Sequence, residues 1–218
     1  MEGLRLLDRV KVKIDREEIL KAAHGLGERI GDLLDEVVEE ASQLIDAKAL
    51  YKIYRVRDRG RERLVLENGV ALESPLIAEK LHCAEKVTVF ISTIGPRLEA
   101  KVSEYFAKGE YLRGWLLDNA GTYALREVNS YLQDLVKEEM GEGVLSRFSP
   151  GQSYWDISQQ RIIFQLLPGE RIGVILTDHL MMVPKKSTSG ILGNTERRFS
   201  SCQICPLKDR CEWREEEA

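Results

Sequence analysis

The chain has 218 residues, 32 basic and 36 acidic side chains, a net charge of −4 and a pI near 5.6, enough length to bury about 70% of its unfolded surface without disulfide staples. The two charge signs are well mixed, which argues against a general nucleic-acid or membrane-surface role, and no apolar run nears the ~18 residues of a membrane span. Residues 1–15 lack a basic region followed by an apolar one, and the four cysteines suit a reducing compartment, so a cytoplasmic chain is expected.

Residues 8–14 (DRVKVKI) alternate charged and β-branched side chains, which predicts a strand with one buried face. Asp15 with Glu18 three residues later resembles a capping box and starts a short helix that ends near Gly25 and Gly27. From Arg29, a stripe through Leu33, Leu34, Val37, Val38, Ala41 and Leu44 predicts a core-facing helix. Residues 49–57 alternate again, and Asn68-Gly69 between two apolar runs in 62–73 predicts a hairpin. Ser74-Pro75 supplies an N-cap and a first-turn proline for a helix through Leu81.

The apolar run 87–93 predicts a central strand that passes through Gly95-Pro96 into a helix, a turn whose amides are candidates to face an anion. Residues 97–139 read as two helices broken around Gly109. The second has a broad apolar face among which lie Asp118, Asn119 and Glu127. Gly141 and Gly143 end it. Asp156 or Ser158 caps a further helix through Leu167, residues 172–177 read as a buried strand, and residues 187–192 as another. Hairpins without a repeating βαβ period predict an α+β domain, a mixed or antiparallel twisted sheet with several helices. The last plausible boundary is Gly193-Asn194, dividing a body at 1–193 from a cysteine-containing tail at 194–218.

Residues 146–190 concentrate the chemistry. Pro150-Gly151 is a turn, because proline fixes φ and glycine tolerates a positive one. Arg147 just before that bend suits a carboxylate, whose two oxygens the guanidinium fork grips together, although an ordinary surface arginine fits the pattern equally well. The three histidines, His24, His82 and His179, are scattered, and no Ser-His-Asp or Cys-His set stands out. No catalytic acid or base is therefore assigned.

Arg147 with Pro150-Gly151, followed by IGVILTDHLMMVPKKSTSG, resembles the activation domain of cobalamin-dependent methionine synthase. That family runs an arginine, a Gly-Tyr corner, a Leu-Thr-Glu segment, a Met-x-Pro pair and a Ser-Val-Ser-Gly strand. Here these read Arg147, Gly151-Gln152, Leu176-Thr177-Asp178, Met182-Val183-Pro184 and Ser187-Thr188-Ser189-Gly190. REEIL at 16–20, FISTIGPRLE at 90–99 and LLDNAG at 116–121 extend the likeness to stand-alone versions of the domain, over roughly residues 10–193. Two departures stand out. Gln152 replaces the corner tyrosine, with Tyr154 and Trp155 close behind, and the tyrosine beyond the Ser-Gly strand has no counterpart. The family's early aspartate has no evident match either.

The resemblance implies S-adenosylmethionine binding and the reductive remethylation of a Co(II) corrinoid. The partner is then a cobalamin-carrying methionine synthase or corrinoid protein, with a low-potential donor such as flavodoxin or ferredoxin supplying one electron. It implies that Arg147 binds the methionine carboxylate, that Pro150, Gly151 and Gln152 line the ligand with Tyr154 near, and that Glu127 takes the α-amino group. Ser189 joins this set from the Ser-Gly strand, and Thr177, Asp178, Met181 and Met182 lie at the face offered to the corrin.

Cys202-x2-Cys205-x5-Cys211 is spaced so that three thiolates can meet at one centre, a [4Fe–4S] cluster or zinc, with Cys83 or His82 available to complete it. A structural clip or redox-sensing thiols fit the same spacing. Two further readings stand beside the first: an iron–sulfur electron-transfer or corrinoid-docking accessory without methyl-donor binding, and a structural cap on the corrinoid domain.

Overall fold

The computed structural model describes residues 3–22, 30–141, 143–152 and 154–211. Its centre is an antiparallel sheet of seven strands: β1 (Leu4–Leu7), β2 (Lys48–Arg59), β3 (Arg63–Leu66), β4 (Ala71–Glu73), β5 (Lys86–Thr93), β6 (Val144–Phe148) and β9 (Ser187–Thr195). The path runs β4-β3-β2-β5-β9-β6. Twelve-residue β2 lies along β5 through Lys48–Arg55 on one side. Its other side is shared, with residues 49–52 pairing β1 and residues 56–59 pairing β3. A separate ribbon joins β7 (Ile175–Leu176) to β8 (Met182–Val183).

β5 is buried from Val87 to Thr93 because both faces of the sheet are covered. Val87, Val89 and Ile91 face a cluster with Ile191, Trp155, Ile163, Leu167 and Val174. Phe90, one residue out of phase, faces the other way with Ala49, Tyr51 and Leu192, beneath Leu132 and Val136 of helix α5 (Tyr111–Met140). The first half of α5 packs instead against α1 (Arg16–Ala22), α2 (Gly31–Leu44) and α4 (Arg97–Ala107), through Leu116, Ala120, Leu34, Val37 and Leu98.

Most local expectations hold. The Asn68-Gly69 hairpin closes with Leu66 N–H donating to Val70 O at 2.8 Å. Ser74 Oγ accepts from Ile77 N–H at the start of α3 (Pro75–Lys80), and Asp156 Oδ1 accepts from Ser158 N–H ahead of α6 (Gln160–Leu166). Two predicted strands are corrected. Residues 8–14 form none: β1 occupies that stretch of β2, Arg9 turns the chain with φ 57°, and Ile14, Val10 and Val12 pack onto the helical cluster. Alternation there reports one buried side, not a ladder. Residues 172–177 are strand only at β7. A 3₁₀ turn spans Gly169–Ile172, and Ile172 and Val174 are buried while Ile175 is half exposed.

Gly95 packs against the loop before β2. A Cβ there would lie 3.1 Å from Asp46 Cβ, and its N–H donates to Thr93 Oγ1, so the turn serves packing. β9 runs on to Thr195, which pairs with Val144, so strand pairing crosses residues 193 and 194. The expected helix end at Gly25 and Gly27, the stripe's start at Arg29, and His24 lie outside the described residues.

Candidate ligand groove

The groove forms where two adjacent strands part. β6 follows β9 only as far as Phe148, opposite Ile191, and then Ser149-Pro150-Gly151 turns away. Residues 187–190 of β9 are left without a partner from β6. Gly190 permits the parting, since a Cβ there would sit 2.3 Å from Phe148 O. Gly151 has φ 88°, in the left-handed region that glycine tolerates, and its N–H receives closure from the Trp155 carbonyl, which accepts at 2.8 Å.

A cavity of about 480 Å³ opens at this corner, lined by Arg147, Pro150, Gly151 and Gln152, by Ile157 and Gln160, by Met182, by residues 187–189, and by Thr122, Leu125, Arg126 and Asn129 of α5. A second cavity of about 470 Å³ shares Arg126, Arg147 and Gln152 and continues past Glu127, Ser130, Asp134 and Lys137 to Arg198, Ser200 and Ser201. Arg147 and Gln152 therefore stand at the junction of a groove of mixed lining, to which Leu125, Pro150, Ile157 and Met182 give apolar surface, and a strongly charged one.

The floor is ordered by hydrogen bonds. Ser92 Oγ donates to Asn129 Oδ1 at 2.6 Å, and Asn129 Nδ2 donates to Thr188 Oγ1 at 3.3 Å, fixing α5 to β5 and β9. Lys186 Nζ donates to Thr122 Oγ1 at 2.6 Å and pairs with Asp118 Oδ1 at 3.0 Å. Two oxygens in the groove lining have no partner: Gln160 Oε1 and Ser189 Oγ, on residues 6% and 2% exposed.

The sequence-predicted residues divide into three sets. Arg147, Pro150, Gly151, Gln152, Met182 and Ser189 line one groove, and half-buried Glu127 lines the adjoining one with Arg147 and Gln152. Tyr154 stands behind the wall. Its ring packs edge-on against Phe148 and Phe199, its hydroxyl donates to Gln152 Oε1, and burial pushes its pKa up to about 12. Thr177, Asp178 and Met181 are outside both cavities, in the exposed turn of the β7–β8 ribbon, where Thr177 Oγ1 accepts from Met181 N–H and the Asp178 carbonyl accepts from Arg161. Met182, in the same ribbon, connects that turn to the groove.

The cysteine tail meets the groove through a neighbour. Gln152 Nε2 donates to Ser201 Oγ at 3.1 Å, Phe199 stacks on Phe148 at 5.2 Å, and Phe199 N–H donates to Ser146 Oγ. Cys202 and Cys205 sit in a 3₁₀ turn spanning Ser201–Ile204 and its cap, and Cys83 is exposed. Among the described residues, which include all four cysteines, no group of three or more His, Cys, Asp or Glu side chains is arranged to hold a metal. The convergence that the spacing of Cys202, Cys205 and Cys211 permits is thus not found among the described residues, and His82 engages Glu79 O and Glu196.

Gln160, Arg126, Asn129 and Ser201 were missed from the sequence. Gln160 reads as one polar residue at a helix start, and only the burial of its amide marks it. Among the described residues, no helix is long and apolar enough to cross a membrane.

Residues 107–206 match the family model described as the activation domain of vitamin B12-dependent methionine synthase. Thirteen chains of known structure match the fold, among them one described as the crystal structure of the MetH reactivation domain bound to AdoHcy. That chain is 13% identical, with a TM-score of 0.65 over 91% of this chain and 81% of the other. No curated protein matches the sequence significantly. The α+β architecture and the family resemblance drawn from residues 147–190 are borne out.

Proposed function

We propose that this chain, whose residues 107–206 carry the methionine synthase activation-domain pattern, binds S-adenosylmethionine in the paired grooves. In this reading it presents the methyl group to the Co(II) corrinoid of a cobalamin-dependent methionine synthase or related methyltransferase. The observation that carries the reading is the convergence on one corner of six residues chosen from sequence, with Arg147 at the junction of a charged cavity and one that carries apolar surface from Leu125, Pro150, Ile157 and Met182.

A zwitterionic amino acid and a flat apolar heterocycle need two such environments side by side. Arg147 takes the carboxylate with its planar fork, and Glu127 takes the α-ammonium in the charged groove. Pro150, Gly151, Leu125 and Ile157 wall the groove that holds the nucleoside. Met182 leads from that groove to the exposed turn carrying Thr177, Asp178 and Met181, the edge offered to the corrin, to which the two methionines lend a soft apolar surface. The corrin supplies the reacting cobalt, and an electron from a flavodoxin- or ferredoxin-like donor restores its nucleophilic state. This chain's part is positioning and exclusion of water. The tail from residue 194 braces the corner through Ser201 and Gln152. A cytoplasmic setting suits its free thiols.

Calorimetry tests the binding step: the wild type is expected to bind S-adenosylhomocysteine, and Arg147→Ala to lose at least about tenfold in affinity, the scale of one charge-assisted hydrogen bond. The functional test is methyl transfer to a Co(II) corrinoid protein with reductant and S-adenosylmethionine. Transfer that proceeds equally without this chain would overturn the reading.

A further inference from the structure

A buried amide oxygen without a partner is costly, and the interior tolerates few of them. Gln160 Oε1 is such an atom, on a residue 6% exposed that nevertheless lines the groove with Pro150, Ile157 and Leu125. The Ser189 hydroxyl, on β9 and in the same lining, is a second. Other polar side chains bordering this cavity are closed on one another: Asn129 with Ser92 and Thr188, Thr122 with Lys186, and Ser187 Oγ with Thr93 Oγ1 at 2.9 Å. Among the described residues, two of the three buried polar side-chain atoms without a partner, Gln160 Oε1 and Ser189 Oγ, thus belong to the lining of this one cavity. They mark where a ligand's own polar edge completes the site.

Resting on the S-adenosyl reading above, we infer that Gln160 is the specificity-determining residue for the heterocycle, pairing its amide with the edge of a 6-amino purine while Ser189 supplies a second contact. A glutamine amide presents one acceptor and one donor side by side. A 6-amino purine presents the complement, the exocyclic N–H and the N7 acceptor, and the two join in a bidentate pair. A 6-oxo purine presents two acceptors on the same edge, so one of them meets the amide oxygen however the amide is turned. The terminal torsion of glutamine is soft, so the amide can rotate to meet the ring at little cost, and the hydroxyl of Ser189 rotates freely. Ile157, Pro150 and Leu125 in the lining offer no polar group of their own, so a mismatched acceptor finds no replacement partner on them.

The test is calorimetry on the full chain with S-adenosylhomocysteine and its inosine counterpart, S-inosylhomocysteine, for wild type and Gln160→Met, a replacement of similar volume without the amide. The wild type is expected to prefer the adenosyl compound by about tenfold or more, and Gln160→Met to hold the preference within about twofold while weakening the adenosyl compound by about tenfold. The melting temperature of Gln160→Met is expected to equal or exceed that of the wild type, because a buried unpaired oxygen is removed. A preference that survives unchanged in Gln160→Met overturns the role of Gln160 and leaves the S-adenosyl reading standing. A wild type that binds neither compound overturns both.

Discussion

In the helical layer Tyr105 donates to both carboxylate oxygens of Glu40, at 2.9 and 2.7 Å, and Arg113 pairs with Glu36, so polar atoms near that core are closed on one another. At the corner where β6 leaves β9, Gln160 Oε1 and Ser189 Oγ have no partner, and a backbone carbonyl stands where any side chain at residue 190 would go. One region is finished by the chain itself, and the other is left to be finished by something that enters it. Stability and binding should therefore respond to different residues.

The sharpest way to break this division is Gly190→Ala. Its Cβ meets Phe148 O, a backbone atom that cannot swing aside, and a loss of about 3 kcal/mol or more is expected in urea unfolding, with the ligand groove lost as well. Leu34→Ala, fully buried between helices, should cost about 2 kcal/mol yet leave S-adenosylhomocysteine affinity within about twofold. A large affinity loss there would mean the two regions are not separable.

Tyr154 gives a pH test of the corner. Burial holds its folded pKa near 12, above the unfolded value of about 10, so its contribution is complete below pH ~10 and is lost as pH rises toward ~12. Alkaline unfolding followed by near-ultraviolet absorbance should shift upward in Tyr154→Phe. An unshifted transition would assign alkaline sensitivity elsewhere, Tyr51 being the natural candidate, since burial and its hydrogen bond to Glu139 also raise its pKa.

The smallest effect is expected from Gly121→Ala. Its Cβ meets Leu98 Cδ2 at 2.7 Å, the far end of a side chain that can move, and alanine favours the helix by about 1 kcal/mol. A net change within about 1 kcal/mol, against the large loss at Gly190, would confirm that what distinguishes the two glycines is the atom each one spares.

Much of the fold was legible because its signals are local. Ser74-Pro75, Asn68-Gly69 and the stripe from Leu33 to Leu44 each specify a turn, cap or face by short-range sterics and hydrogen bonding, and each element formed. Residues 8–14 misled because alternation says only that one side is buried, and the helices buried it. For the site, Arg147, Pro150, Gly151 and Ser189 were legible as a motif, whereas Gln160 and Asn129 came to the groove from helices whose sequences show nothing unusual. The cysteines show the converse: their spacing permits convergence, and none is found among the described residues.

By itself, then, the sequence determined most element types, an α+β domain whose sheet is mixed or antiparallel, and the identity of the arginine and glycine corner, since these rest on backbone conformation and side-chain chemistry within a few residues. Only the tertiary structure decided that β6 would part from β9 at Phe148, that α5 and α6 would close over the gap, and that Gln160 and Ser189 would be buried there unpaired. Those outcomes depend on contacts between residues distant along the chain, where packing selects which polar atoms are satisfied and which are left for a ligand.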